Sequence, residues 1–171
     1  MFRTSRNTTY CRTKGEKMQQ LNIVYISLSG NTEYFIKQIE KYLTHKNNNI
    51  SIKSINIKQL VKENIDFPKM NDTFVAFLPS YLEGGNGVEN GVREILTTPL
   101  RTFLTYNDNY KKCCGIIGSG NRNFSKQFCL TAYQYSEQFG FPVLDEFELR
   151  GTVEDVERIS KKIARLFNLE V

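Results

Sequence analysis

Short apolar runs alternate with amphipathic segments along the chain from residue 21 onward. The first run, residues 21–27 (LNIVYIS), is almost continuously apolar, which is typical of a strand buried on both faces of a sheet. Residues 31–43 then carry apolar side chains at nearly helical spacing. The pattern predicts further strands at 50–57 near the sheet edge, 74–78, 113–118 and 142–149, a helical turn at 58–63, and helices at 92–106 (interrupted near Pro99), 125–139 and 152–167.

Five strands that alternate with helices predict an α/β fold around a mostly parallel, doubly wound sheet. The pattern alone leaves a Rossmann-like and a flavodoxin-like strand order open. In either order, ligands bind at the carboxyl ends of the strands, where the strand order reverses. The loops after the first, third and fourth strands are rich in Gly, Ser and Asn. We therefore expect these three loops to converge on one site.

The loop after the first strand places hydroxyl side chains around a glycine, in the order Ser27, Leu28, Ser29, Gly30, Asn31, Thr32. This order matches the [ST]-x-[ST]-G-x-T pattern of a flavodoxin phosphate loop. Hydroxyls and backbone N–H groups at a helix N-terminus suit a phosphate monoester, and the pattern has no GK[ST] run of the ATP-binding type. The alternative is a capped helix without a ligand, because Ser and Thr are common helix caps.

The loop after the third strand contains the run Pro79, Ser80, Tyr81, followed by the glycines Gly84, Gly85, Gly87 and Gly91. Glycines allow the main chain to approach a flat ligand closely or to change conformation. Both properties suit the edge of a flavin ring, and a merely flexible surface loop is the alternative.

The loop after the fourth strand contains Ser119, Gly120, Asn121, Arg122, Asn123 and Phe124. Its glycine spacing and its place after the fourth strand do not fit a dinucleotide fingerprint. Its amides suit the pyrimidine edge of a flavin, and Arg122 suits either a reduced, anionic flavin or an acidic partner. Phe124 and Tyr81 are candidates for stacking on the ring, although either can equally be a core aromatic.

The net charge of +5 is concentrated in the first 20 residues. That segment holds five basic residues and one acidic residue, which leaves 18 basic and 17 acidic residues for 21–171. Residues 21–171 are therefore nearly neutral, and a nucleic-acid partner, which requires a basic surface, is not expected. No apolar run approaches the roughly 20 residues of a membrane span. We expect residues 1–20 to be a disordered extension, either an organellar-type leader or sequence upstream of a start at Met18, and 21–171 to be one domain.

The four cysteines, Cys11, Cys113, Cys114 and Cys129, show no CxxC spacing and no cluster with the single histidine, His45. A metal site is therefore not expected. Buried, inert thiols in a reducing cytoplasm are favoured over a redox pair, so we expect a cytoplasmic protein.

The motifs together resemble the NrdI family, the flavodoxin-like proteins that accompany class Ib ribonucleotide reductases. The resemblance rests on 25–32 (YISLSGNT), 79–81 (PSY) with its glycine run, 118–124 (GSGNRNF) and 141–151, and it extends from residue 21 to about residue 166. It implies a flavodoxin-like three-layer sandwich with a five-stranded parallel sheet of order 2-1-3-4-5 and helices on both faces. It also implies FMN, held by the three loops. Leu82 and Glu83 are inserted relative to the commoner family pattern, and the segment at 47–69 is long.

The resemblance also implies a function. Reduced FMN reacts with O2, and the superoxide passes to the dimanganese site of the reductase small subunit, where a tyrosyl radical forms. The expected partners are that small subunit and a flavin reductant, and the protein is an activating partner with no catalytic residues of its own. A general electron-transfer flavodoxin, an FMN-dependent quinone or azo reductase, and a ligand-free interaction domain are the alternatives.

Overall fold

Five parallel strands form one sheet in the order β2-β1-β3-β4-β5, which confirms the expected strand order. The structure is a computed structural model, and it describes residues 18–84 and 91–171. The strands are β1 (Gln19–Tyr25), β2 (Ile50–Asn56), β3 (Phe74–Pro79), β4 (Cys113–Gly120) and β5 (Val143–Glu148). The edge position predicted for β2 is confirmed, whereas β1 begins two residues earlier than expected. The disorder predicted for residues 1–20 is wrong for Gln19 and Gln20, which pair with β2 as part of β1, and residues 1–17 lie outside the described residues.

Helices cover both faces of the sheet, because neighbouring residues of a strand point to opposite sides. In β1, Ile23 belongs to the apolar core on one face and Val24 to the core on the other. The helices are α1 (Asn31–Lys46), α2 (Ile57–Lys62), α3 (Thr98–Thr105), α4 (Leu130–Phe139) and α5 (Val153–Leu166), with 3₁₀ helices at Tyr106–Lys112 and Arg122–Gln127. Buried residues of α1 and α5 share the first core, and buried residues of α3 and α4 share the second. Among the described residues, no helix is long and apolar enough to cross a membrane.

The predicted helix at 92–106 is wrong in its first part. Helix α3 begins only at Thr98, and Pro99 lies in its first turn. Proline favours this position because its fixed φ suits a helix start and its missing N–H needs no partner there. The helix predicted at 125–139 also starts late, because Ser125 and Cys129 have left-handed φ values of 46° and 54°. Helix α4 therefore begins at Leu130.

The parallel register aligns the carboxyl ends of the three central strands. Tyr25 of β1 pairs with Phe77 of β3, and Pro79 at the end of β3 pairs with Ser119 of β4. The loops after β1, β3 and β4 consequently leave the same edge of the sheet. The chain crosses from β1 to β2 in one direction along the sheet and from β3 to β4 in the other. The strand order therefore reverses between β1 and β3, at the carboxyl ends where these loops lie.

Replacing Phe35 with Ala should destabilise the domain by about 3–5 kcal/mol, the usual cost of emptying a buried aromatic site. Phe35 is fully buried, and its ring stacks on Phe147 with the centroids 3.8 Å apart. The measurement is the free energy of unfolding in denaturant. The control is Tyr34→Ala, because Tyr34 is 41% exposed and should cost less than about 1 kcal/mol. Equal losses in the two variants would contradict this description of the core.

Candidate functional site

A cavity of about 280 Å³ opens at the carboxyl ends of β1, β3 and β4. This volume is just below the range of about 300–1,000 Å³ for small-molecule and cofactor sites. The described residues that line it are Leu28, Ser29, Asn31, Thr32, Pro79, Ser80, Tyr81, Leu82, Ile95, Ser119, Gly120, Asn121, Phe124, Gln127 and Leu149. All three predicted loops therefore contribute residues to one cavity.

The first loop meets the cavity at the N-terminus of α1. Gly30 has a left-handed φ of 84° and occupies the N-cap position, so the N-cap residue itself has no side chain to cap the helix. Of the first three N–H groups of the helix, that of Glu33 donates to Ser27, and those of Asn31 and Thr32 can serve a ligand. Thr32 lines the cavity and is 2% exposed. Ser27 does not line the cavity, because its buried hydroxyl accepts a hydrogen bond from the Glu33 N–H at 3.3 Å.

Tyr81 connects the second loop to the first. Its ring lines the cavity, and its hydroxyl lies 3.4 Å from Oγ of Ser29, at the distance of a weak hydrogen bond. Ser80 also lines the cavity, but its Oγ accepts a hydrogen bond from the N–H of Thr131 at 3.2 Å. Of the two polar side chains, Tyr81 is thus the one that reaches towards the first loop.

A short antiparallel ladder closes the glycine-rich loop at its base. The N–H of Glu83 donates to the carbonyl oxygen of Arg93, and the N–H of Ile95 donates to that of Tyr81, each at 2.9 Å. The predicted site glycines Gly85 and Gly87 lie outside the described residues. Gly84 is described, with a φ of 71°, but does not line the cavity. This ladder is the structure that replaces the start of the helix predicted at 92–106.

Two further contacts hold the base of this loop. A Cβ atom on Gly91 would overlap the carbonyl oxygen of Glu83, so only glycine allows the two chain segments to approach this closely. The side chain of Gln127, which lines the cavity, donates from Nε2 to the carbonyl oxygen of Gly91 at 2.7 Å. Gln127 thereby connects the third loop to the second.

A buried carboxylate anchors the segment that returns from the glycine-rich loop. The side chain of Glu94 is 4% exposed, and it accepts hydrogen bonds from Tyr135 and Thr97, each at 2.6 Å, and from Nε of Arg101 at 2.9 Å. Burial is the main cause that raises the pKa of Tyr135, and its hydrogen bond to Glu94 contributes. The phenol therefore remains protonated and donates to Glu94. A buried charge is tolerated when it is paired and hydrogen-bonded in this way.

The third loop contributes Ser119, Gly120, Asn121 and Phe124 to the cavity. The side chain of Asn121 accepts a hydrogen bond from the N–H of Asn123 at 2.9 Å, which starts the 3₁₀ helix at Arg122–Gln127. Arg122 and Asn123 are not among the residues that line the cavity. The Arg122 side chain is 65% exposed, and its guanidinium lies over the ring of Phe128 and near Glu148.

The model of the family described as NrdI flavodoxin-like matches residues 23–161. A putative NrdI-like protein of Streptococcus pneumoniae (strain R6) is 54% identical over 153 residues, which cover 90% of this chain and 98% of the relative. Protein NrdI of Mycoplasma genitalium is 35% identical over 147 residues, 85% of this chain and 84% of the relative. The chain belongs to the NrdI flavodoxin-like family.

Solved flavodoxin structures share the fold of this NrdI-family chain. A short-chain flavodoxin associated with a PDU bacterial microcompartment superposes with a TM-score of 0.59 at 20% identity, over 88% of this chain and 98% of that one. An archaeal flavodoxin superposes with a TM-score of 0.55 at 14% identity, over 87% and 96% of the two chains. At these identities the likeness shows the flavodoxin-like fold.

The NrdI family and the flavodoxin-like fold imply FMN as the cofactor, and the cavity fits it. Ser29, Asn31 and Thr32 lie at the N-terminus of α1, where the N-cap residue Gly30 has no side chain, and this is a suitable place for a phosphate. Tyr81 and Phe124 are the aromatic side chains of the lining. When FMN is bound, the first group would hold its phosphate, and the aromatic pair would flank its ring. The roles of individual residues remain predictions.

Four residues that line the cavity were not predicted as site residues from the sequence: Leu82, Ile95, Gln127 and Leu149. Leu149 follows β5, so the rule that ligands bind at carboxyl strand ends could have included it. Leu82 belongs to the insertion that was already noted. Ile95 and Gln127 reach the cavity only through contacts between distant segments, for which no local sequence signal exists.

Two of the three described cysteines, Cys113 and Cys129, fit the inert-thiol interpretation. Cys113 is buried, and burial raises the pKa of its thiol to about 12. Cys129 is also buried, and burial raises the pKa of that thiol too. Within residues 18–84 and 91–171, no three His, Cys, Asp or Glu side chains are grouped as a metal site would require.

The double variant Ser29→Ala, Thr32→Ala should weaken FMN binding by about 1–3 kcal/mol, because it removes hydroxyl partners of the phosphate. Quenching of flavin fluorescence measures the dissociation constant. The matched control removes exposed hydroxyls elsewhere, with Thr44→Ala and Ser51→Ala, and should leave the affinity unchanged. Unchanged affinity in the first double variant would refute the assignment of the phosphate loop.

Gly91→Ala should destabilise the domain by about 1–3 kcal/mol, the usual cost of forcing extra atoms into a packed position, and should also weaken FMN binding. The new methyl group must displace Glu83 and with it the ladder that positions Tyr81 and Ile95. Gly140→Ala is the control, because Gly140 has a φ of 86° at the end of α4 and open space around it. The control should lower stability and leave FMN affinity unchanged. An unaltered affinity in Gly91→Ala would show that the ladder does not shape the site.

Proposed function

We propose that this protein is an FMN-dependent activating partner of the small subunit of a class Ib ribonucleotide reductase. The observation that carries the proposal is the match to the NrdI flavodoxin-like family over residues 23–161, since that family accompanies class Ib reductases. On this proposal the protein acts in the cytoplasm, a flavin reductant supplies its electrons, and it transforms no organic substrate.

The chemistry of the cavity lining supports a redox partner over a substrate-transforming enzyme. Among the described residues that line the cavity, none carries a charged side chain, and Tyr81 is the one titratable group. Such a lining can hold and shield a flavin, but it offers neither a strong general base nor a nucleophile for a substrate. The described lining residues also include no carboxylate that would repel a negatively charged flavin.

Exposed apolar side chains at the rim of the cavity support contact with a protein partner. Ile95 and Leu149 line the cavity and are 39% and 46% exposed, and the neighbouring Leu96 is 62% exposed. Leu96 and Leu149 have left-handed φ values of 65° and 50°, a conformation that costs a bulky residue roughly 1–2 kcal/mol. Apolar side chains grouped at the rim of a site are a common feature of docking surfaces.

Bound and reduced FMN supplies the chemistry of the proposal, the one-electron reduction of O2 to superoxide. The residues of this chain have three tasks. The first loop anchors the cofactor, residues 79–82 and Ile95 of the ladder contribute to the wall of the cavity, and the apolar rim receives the small subunit. The superoxide is then consumed at the dimanganese site of the partner.

Reconstitution tests the proposal directly. The FMN-loaded protein is reduced anaerobically and mixed with manganese(II)-loaded small subunit and O2, and the tyrosyl radical is measured by electron paramagnetic resonance. We expect a radical that depends on the protein and on O2. An electron-transfer flavodoxin at the same flavin concentration is the control. No radical would refute the proposal, and an equal yield with the control would favour a general electron carrier.

In the same assay, Leu96→Asp should lower the radical yield at least about tenfold, because a charge would be buried in an apolar contact with the small subunit. Leu96 is 62% exposed and does not line the cavity. Aspartate tolerates the left-handed φ of this position, so the turn should persist. FMN affinity, measured separately, should change less than about threefold. The control is Val153→Asp at the start of α5, where the side chain is 80% exposed and does not line the cavity. Equal yields in the two variants would exclude the rim as the docking surface.

A further inference from the structure

The amino group of Lys58 reaches the phosphate loop from a neighbouring element. Its Nζ donates a hydrogen bond to the carbonyl oxygen of Leu28 at 3.1 Å. Leu28 lies between Ser27 and Ser29 and lines the cavity. The loop itself, residues 27–32, contains no basic side chain. The fold therefore brings to this loop a positive charge that the loop sequence lacks.

The sheet register determines where Lys58 lies. β2 runs parallel to β1, and Tyr25 near the end of β1 pairs with Asn56 at the end of β2. The side chain of Asn56 then caps α2 by accepting a hydrogen bond from the N–H of Lys58 at 3.1 Å. Ile57, between them, is fully buried. Lys58 is consequently fixed at its backbone, next to the residues that follow β1.

The positive charge of Lys58 is available to a bound anion, because the acidic residue nearest the loop is paired with another lysine. Glu33, in the first turn of α1, is the acidic residue closest to the loop in sequence, and it pairs with Lys37 at 2.9 Å. In the part of the chain that the structure describes, Lys58 forms no ion pair with a carboxylate. A phosphate monoester carries a charge of about −1.5 to −2 at neutral pH, so an unpaired cation beside its loop is favourable.

We propose that Lys58 is the positive charge of the FMN phosphate site, and that it makes the protein prefer FMN to riboflavin. It acts in two ways. Its charge attracts the phosphate through space, and its hydrogen bond polarises the Leu28–Ser29 peptide, which strengthens the Ser29 N–H as a donor. Lys58 is a positioning and charge-compensating residue of the loop. The proposal rests on FMN being the cofactor.

The test compares two ligands that differ only in the phosphate. Dissociation constants for FMN and for riboflavin are measured by fluorescence titration of the apoprotein, for the wild type, Lys58→Met and Lys58→Arg. Lys58→Met should weaken FMN binding roughly 3- to 10-fold and riboflavin binding less than about twofold. The expected loss for FMN is no larger because the attraction between two solvent-exposed charges is weak. Lys58→Arg should retain most of the preference for FMN. The loss in Lys58→Met should shrink as salt is raised, since added ions screen exposed charges.

Lys62→Met is the matched control, because it removes the same charge one helical turn further along α2. It should leave both dissociation constants unchanged. If Lys58→Met weakens FMN and riboflavin equally, Lys58 only shapes the loop, and the proposal is wrong. If Lys58→Met changes neither constant, Lys58 has no role in binding. A wild-type protein that binds riboflavin but not FMN, or neither flavin, would instead refute the cofactor assignment.

Discussion

The alignment of β1, β3 and β4 at one edge of the sheet is the constraint on which the site depends. Each of these strands is short, buried and parallel to its neighbour, so a shift of register would move its loop away from the other two. The backbone pairing of these strands therefore determines the shape of the cavity. The loops themselves can remain rich in small residues, because the strands already fix where each loop begins and ends.

The position of residues 91–97, which contribute Ile95 to the cavity, depends on a second, electrostatic constraint. Glu94 is buried, and its carboxylate is held by Tyr135 and Arg101 from two different helices. Breaking this network would leave an uncompensated charge in the core, which is costly. The hydrogen bonds of Glu94 therefore fix the position of residues 91–97 more strongly than apolar packing alone would. The ladder with residues 81–83 transmits that position to Tyr81 and Ile95 at the cavity. The environment of the flavin is thus set partly by residues that do not line the cavity.

The sequence predicted those parts of the fold that local patterns encode. The apolar runs identified the five strands, and the helical spacing of apolar residues identified α1 and α5. The strand order needed the family resemblance, because periodicity alone fits more than one order. The segment before α3 was misjudged as helix because its pairing partner lies some ten residues earlier, beyond the glycine run. Lys58 was overlooked as a phosphate-site cation because only the pairing of β1 with β2 brings it to Leu28.

The central claim is that three strand-end loops form one FMN site, and amide chemical-shift mapping tests it most directly. Uniformly ¹⁵N-labelled apoprotein is titrated with FMN, and the backbone resonances are followed to saturation. The account predicts large shifts at residues 28–32, 80–82 and 119–124, and smaller ones at Ile95 and Leu149. It predicts little change at the amino-terminal ends of the strands, for example at Gln19, where β1 begins, and at Thr73, directly before β3. Shifts confined to one loop, or centred on another surface, would contradict the account.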